Sequence, residues 1–227
     1  MAQKKILIVD DEIDILDLLE YNLEKEGYEV IKAMDGEEAI ATAAKTKPDL
    51  ILLDIMMPRL DGIETCRRLR ELPDMEQVYV VFLTARSEEY SEVAGFEAGA
   101  DDYIAKPIKP RVLLSRIRAI MRRDTKNREE AGNVLRIHDL EIVQDEYIVR
   151  HGEKTLSLPR KEFELLFFLA SKPGKVFRRE KLLEKIWGDV YVVDRTIDVH
   201  VRKLREKIGD HYIQTVKGVG YKFLSEQ

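Results

Sequence analysis

The sequence predicts two folds in one chain: a doubly wound α/β domain with a five-stranded parallel sheet, then a smaller α+β domain. Five apolar runs alternate with five helical stripes across residues 4–123, the order that builds a parallel sheet wrapped by helices on both faces. Past residue 133 the pattern becomes short strand-like segments, three helical stripes and a closing hairpin. Net charge changes sign at the same place: residues 1–123 carry 18 Lys+Arg against 25 Asp+Glu, and residues 133–227 carry 18 against 15. Residues 124–132 are polar, lack apolar periodicity and read as a linker, leaving 1–123 and 133–227 as the two domains.

The elements follow in order. Ile6–Val9 is a buried strand ending in Asp10-Asp11-Glu12, and Leu16, Leu19 and Leu23 stripe a helix that stops at Gly27. A second strand, Glu29–Ala33, leads through Asp35-Gly36 to a helix from Glu37 to Lys45. Leu50–Leu53 is apolar on both faces, as a strand inside a parallel sheet must be, and ends in Asp54. After Pro58 and Gly62 a helix runs from Ile63 to Leu72, and Tyr79–Leu83 forms a strand ending in Thr84-Ala85. A helix over 88–98, a short strand at Tyr103–Ala105 ending in Lys106-Pro107, and a helix from Lys109 to Arg123 complete the unit. In the second unit the strands are Val134–Ile137, Leu140–Val143, Tyr147–Arg150 and Thr155–Leu158. The helices open at Pro159, around Leu182 and at Arg195, and Tyr212–Val216 with Tyr221–Leu224 flank a Gly-containing tip.

Ligands of open α/β sheets sit at the carboxyl ends of the strands. Asp10-Asp11, Asp54, Thr84 and Lys106 all fall there. Three carboxylates at one edge repel one another unless a cation lies among them, and oxygen ligands favour Mg²⁺. A carboxylate beside that metal, with a hydroxyl and an ammonium at hand, suits attack on a phosphoryl group. Asp10-Asp11, Asp54, Thr84-Ala85, Tyr103 and Lys106-Pro107 together resemble the receiver domain of two-component response regulators, a flavodoxin-like fold, across residues 4–123. The resemblance implies that Asp54 accepts phosphate from a sensor histidine kinase. It makes Asp10, Asp11, Asp54 and the backbone carbonyl of Met56 the Mg²⁺ ligands, and sets Lys106 and Thr84 on the phosphoryl group. It also makes Thr84 and Tyr103 a switch pair that moves inward on phosphorylation, and the Lys106-Pro107 bond cis. Haloacid dehalogenase-type phosphatases also use an aspartyl nucleophile but carry a second Asp two residues on; Met56 occupies that position, which favours a phosphoryl switch over a turnover enzyme.

Three helices followed by a hairpin match a helix-turn-helix with a wing. With Ile197, Val201, Leu204 and Ile208 facing the core, Asp198, Arg202 and Arg205 share the opposite face, suited to guanine edges in the major groove. Arg195, Thr196, His200 and Lys203 flank it near phosphates. The run from Asp194 to Arg205, with Thr215-Val216-Lys217-Gly218-Val219-Gly220-Tyr221, resembles the winged-helix effector domain of OmpR/PhoB-type transcription factors over residues 133–225. That resemblance implies double-stranded DNA bound as tandem direct repeats, Thr215 and Lys217 as wing contacts, and Asp189–Asp194 as a loop meeting RNA polymerase. Trp187 is either core or a phosphate contact.

The same family pairs its active receivers as homodimers through the fourth helix, fifth strand and fifth helix. Asp102 with Arg116, and Glu97 with Arg118, match its ion pairs. At the third pair this chain has Glu92 and Val112, so either Arg111 restores a pair of reversed polarity or the pair is absent. No apolar run approaches the ~20 residues of a membrane span. The N-terminus shows no signal peptide, and Cys66, the single cysteine, excludes intrachain disulfides and reads as packing. The expected setting is the cytoplasm. The expected function is a phosphorylation-activated DNA-binding regulator, not an enzyme; the alternative is a constitutive DNA binder whose receiver serves only for dimerisation.

Overall fold

Strand β1 (Lys5–Val9) is flanked by two parallel neighbours, β2 (Glu29–Ala33) and β3 (Leu50–Asp54). β4 (Tyr79–Ala85) and β5 (Asp102–Lys106) extend the sheet to the order β2-β1-β3-β4-β5, all parallel. The computed structural model describes residues 3–85, 89–129, 134–188 and 195–224, and within them every side chain except those of residues 85, 89–93, 122–129 and 195. The chain divides into two units, Met1–Arg123 and Asp124–Gln227.

In the first unit the alternation of side chains along each strand feeds two layers. Ile6, Ile8, Leu50, Leu52, Val81 and Leu83 pack with Leu16, Leu19 and Leu23 of α1 (Ile13–Glu24) and with Leu113 and Ile117 of α5 (Pro110–Glu129). The helices α2 (Gly36–Thr46), α3 (Gly62–Glu71) and α4 (Glu89–Ala98) follow one another side by side. Asp35 and Asp61 cap α2 and α3 by accepting from the backbone N–H groups of Glu38 and Glu64. Arg70 ties this layer together: its guanidinium donates to the carbonyls of Gly99, Met75 and Val78 and pairs with buried Asp101 at 2.8 Å. Cys66 is fully buried in α3, as packing requires.

α5 ends at Glu129, six residues beyond the expected stop at Arg123, so the segment expected as a linker is helical up to that point. Residues 124–129 have no apolar face, but they hold no Gly or Pro, and their polar and charged residues are compatible with continuing the helix through Glu129.

The second unit opens with an antiparallel meander, β6 (Val134–Ile137), β7 (Leu140–Val143), β8 (Ile148–His151) and β9 (Lys154–Ser157). Next come α6 (Arg160–Ala170), the two-residue β10 (Phe177–Arg178), α7 (Arg179–Ile186), α8 (Arg195–Ile208) and the hairpin of β11 (Ile213–Val216) and β12 (Gly220–Phe223). β10 joins the hairpin in the order β10-β12-β11. The sequence does not announce β10 because two residues carry no period. Phe163, Leu166, Leu182, Ile197, Val201, Leu204, Tyr221 and Phe223 meet in one core.

Candidate functional site

Register brings the acids together. Val9 lies opposite Leu53, so Asp10 and Asp54 leave the two central strands side by side. Asp54 lies opposite Leu83 and Thr84 opposite Ala105, which sets Thr84 and Lys106 at the same edge. One oxygen each from Asp10, Asp11 and Asp54 lies within 4.8 Å of the others. Asp10 and Asp54 are buried, whereas Asp11 is exposed. Lys106 spans the group, its Nζ 2.8 Å from Asp54 Oδ1 and 2.9 Å from Asp10 Oδ2. Three carboxylates against one ammonium leave a negative surplus, and an all-oxygen set with one open side fits a hard divalent cation. Burial pushes the Asp54 carboxyl above its ordinary pKa, and the Asp10 charge adds to this, against the pull of Lys106. Burial works to lower the Lys106 ammonium, but its hydrogen bonds to Asp54 and Asp10 prevail and hold it above its ordinary value.

The loop after β3 is shaped by a glycine. A Cβ at Gly62 would stand 2.1 Å from the Asp54 carbonyl oxygen, and the Gly62 N–H donates to the Ile55 carbonyl at 2.9 Å. Only a residue without a side chain lets α3 begin this close to the acid. The Met56 side chain is exposed, while its backbone N–H is one of the groups that lower the Asp54 pKa. The Lys106-Pro107 bond is cis.

Tyr103 already lies inward. Its ring packs on Phe82 and Phe96 at centroid distances of 5.4 and 4.7 Å, and its hydroxyl lies over Gly95, where a Cβ would be 1.7 Å away. Gly95 carried no sequence signal, because a small residue on a helix announces nothing until the ring above it is located.

On the second unit, α8 buries Ile197, Val201, Leu204 and Ile208 as expected. The opposite face differs from expectation in detail. Arg202 is exposed and pairs with Glu206 at 3.0 Å. Arg205 turns away to β11: its Nε and Nη2 donate to the Ile213 carbonyl at 3.1 and 2.7 Å, and Nη2 also donates to the Thr215 hydroxyl. Asp198 Oδ1 accepts from Arg179 Nε and from the Tyr221 hydroxyl, both at 2.7 Å. Lys217 is exposed at the hairpin tip.

Two of the expected phosphate contacts lie on the inner side of α8. His200 and Thr196 are buried. His200 Nδ1 lies 2.9 Å from the Thr196 carbonyl, an acceptor that places the ring proton on Nδ1, and the ring packs edge-on against Trp187. Their positions on α8 turn them toward the core, the apolar face being wider than the stripe first traced. Trp187 is buried and packs in the core of the second unit. Lys203 bends back toward buried Glu162, which Lys207 also holds at 2.7 Å. The side chain of Arg195 and the loop 189–194 lie outside the described residues.

Comparison with known proteins follows the same division. Residues 6–118 match the family model described as response regulator receiver domain, and residues 152–223 match that of transcriptional regulatory protein, C terminal. The alkaline phosphatase synthesis transcriptional regulatory protein PhoP of Bacillus subtilis is 46% identical, with 96% of each chain covered. The chain belongs to the OmpR/PhoB-type response regulators. Among solved structures, the response regulator DrrB of Thermotoga maritima, an OmpR/PhoB homolog, is 36% identical with a TM-score of 0.52. A mutant of the protein RitR is 28% identical with a TM-score of 0.77, and both comparisons cover 98% of this chain and 100% of the other.

Membership makes this response regulator a phosphorylation-activated DNA-binding transcription regulator and not a classical enzyme, and the constitutive reading is not favoured. Among the described residues no helix is long and apolar enough to cross a membrane. Three of the side chains expected at a dimer face, Asp102, Arg116 and Arg118, have partners within the chain. Arg116 lies 3.5 Å from Asp102 and donates to the Tyr103 carbonyl, and Arg118 pairs with Glu26 at 3.2 Å. Glu97 and Arg111 are exposed, and the Glu92 side chain lies outside the described residues.

Proposed function

We propose that Asp54 takes a phosphoryl group from a sensor histidine kinase. An Asp54 oxygen forms the new bond to phosphorus as the phosphorus–nitrogen bond of the donor histidine breaks, and the imidazole keeps the electron pair. Asp10, Asp11, Asp54 and the Met56 carbonyl would hold Mg²⁺, which neutralises charge on the transferring oxygens. Lys106 and Thr84 contact the same oxygens, and Thr84 with Tyr103 relays the state to the fourth-helix face. Activated receivers pair there as a homodimer. The paired winged helices then bind tandem direct-repeat half-sites, with Arg202 at base edges, Lys217 in the minor groove and RNA polymerase as the downstream partner, all in the cytoplasm. The observation that carries this reading is the Lys106 ammonium bridging buried Asp10 and Asp54 beside a third carboxylate.

The test is phosphorylation by a small-molecule phosphoryl donor, with and without a chelator, in the native protein and in Asp54→Asn. Incorporation should need both Asp54 and the metal, and should tighten binding to a selected DNA duplex. Equal incorporation in Asp54→Asn, or indifference to the chelator, would sink the assignment.

A further inference from the structure

The DNA-facing side of α8 carries an acid where electrostatics alone would exclude one. Asp198 sits in the first turn, four residues before Arg202, on a surface that meets phosphates. Its carboxylate is not loose. Arg179, the first residue of α7, and Tyr221, in the middle strand of the wing sheet, both donate to the same Asp198 oxygen at 2.7 Å. The Arg179 guanidinium also lies 4.9 Å from the centroid of the Tyr221 ring, and Arg205 lies 5.9 Å from it. Arg205 meanwhile holds the Ile213 carbonyl and the Thr215 hydroxyl of β11. The first helix of the motif, the recognition helix and two wing strands therefore meet at one tyrosine. Tyr221 lies opposite Thr215 in β11 and Phe177 in β10, so displacing it moves the whole wing.

We propose that Asp198, Arg179, Tyr221 and Arg205 form a brace that fixes the wing against the recognition helix, so that they set sequence discrimination by position and read no bases themselves. The inference rests on the winged-helix DNA-binding reading. Asp198 acts twice in it. It orients the tyrosine, and it occupies an arginine that would otherwise be free to take any phosphate it met. Both effects favour the correct site over all others, because only there do recognition helix and wing engage together. Arg179 and Tyr221 are positioning residues, and among the described side chains Arg202, Thr215 and Lys217 are exposed.

The charge makes the test decisive in sign. If Asp198 is only a solvated acid near DNA, removing its charge strengthens binding to every duplex alike. If it is the centre of a brace, removal lowers the preference for the correct one. The full-length protein selects a duplex from a randomised pool, and binding to it and to a scrambled duplex is followed by anisotropy across a salt series. The ratio of the two dissociation constants does not depend on how much protein is folded, so a loss of stability alone leaves it unmoved. Asp198→Asn and Tyr221→Phe should each lower that ratio about tenfold, and together little more than either alone, since they share one bond. In Asp198→Asn the freed Arg179 should steepen the salt dependence on scrambled DNA by about one phosphate contact. An unchanged ratio in Tyr221→Phe, or equal tightening on both duplexes in Asp198→Asn, overturns the brace. A wild type that prefers no duplex at all overturns the DNA-recognition reading beneath it, and the wild-type arm identifies that failure.

Discussion

Replacing Gly95 by alanine tests the inward position of Tyr103 through a contest of two opposing effects. Alanine inside a helix is favoured over glycine by about 1 kcal/mol, so an unobstructed site would gain stability. Here the new Cβ would stand 1.7 Å from the Tyr103 hydroxyl oxygen and 2.8 Å from both its Cζ and the Phe82 Cε2. No shift of a few tenths of an ångström relieves the first contact, so either the ring swings out or α4 lifts. Overpacking of this kind costs about 1–3 kcal/mol. A displaced ring also gives up its aromatic contacts with Phe82 and Phe96, each worth about 0.5–1.5 kcal/mol beyond burial. The net expectation is a loss of about 1–3 kcal/mol in equilibrium urea denaturation. The same substitution in a Tyr103→Ala background is spared the two Tyr103 contacts, keeps the one to Phe82 Cε2, and should cost far less, giving strong non-additivity in the double-mutant cycle. Because inward Tyr103 is the position assigned to the activated receiver, Gly95→Ala should also dimerise more weakly after phosphorylation. A Gly95→Ala protein as stable as wild type, or a penalty equal in both backgrounds, would refute the inward placement.

Two further outcomes follow from buried and pH-dependent pairs. Arg70→Met takes the cation from Asp101, which is 1% exposed, and should destabilise the receiver by about 3–5 kcal/mol in urea denaturation; a loss below about 1 kcal/mol would show that the pair is relaxed by solvent. In the effector unit, the hydrogen bond from Tyr212, with His151 beside it, holds the Asp139 carboxyl below its ordinary pKa, while burial first and the bond to Asp139 second push the Tyr212 hydroxyl up. A carboxyl lowered by folding stabilises above its unfolded pKa and loses that contribution as pH falls through the folded one, so the stability should drop below about pH 4. Asp139→Asn should flatten that acid limb in thermal melts, and an unaltered limb would remove Asp139 as its source.

The difference between what was legible and what was not follows the range of the interactions. Asp54 could be read as a site residue only together with Asp10-Asp11, Thr84 and Lys106 at the other strand ends, because an acid ending one apolar run serves equally well as a cap for the following turn. Register then placed Asp10, Thr84 and Lys106 beside it without further information, since parallel strands that begin together end together. The stripe Ile197, Val201, Leu204 and Ile208 likewise defined the buried face of α8, and all four are buried. Its outer face was read less well. A helical wheel treats every residue off the stripe as solvent-facing, yet His200 sits under Trp187, and Arg205 is captured by a carbonyl eight residues later. The wheel has no term for a wing folding back over the helix. Arg179 and Tyr221 were missed for the same reason: they reach Asp198 from 19 residues before it and 23 after it, separations at which spacing carries no phase. The residues that perform a local reaction are thus visible in one dimension, whereas those that hold two recognition elements at a fixed angle become visible only when the elements meet. Tertiary contacts of the second kind are where sequence discrimination is set, and where variants of this regulator are expected to alter specificity without touching a base.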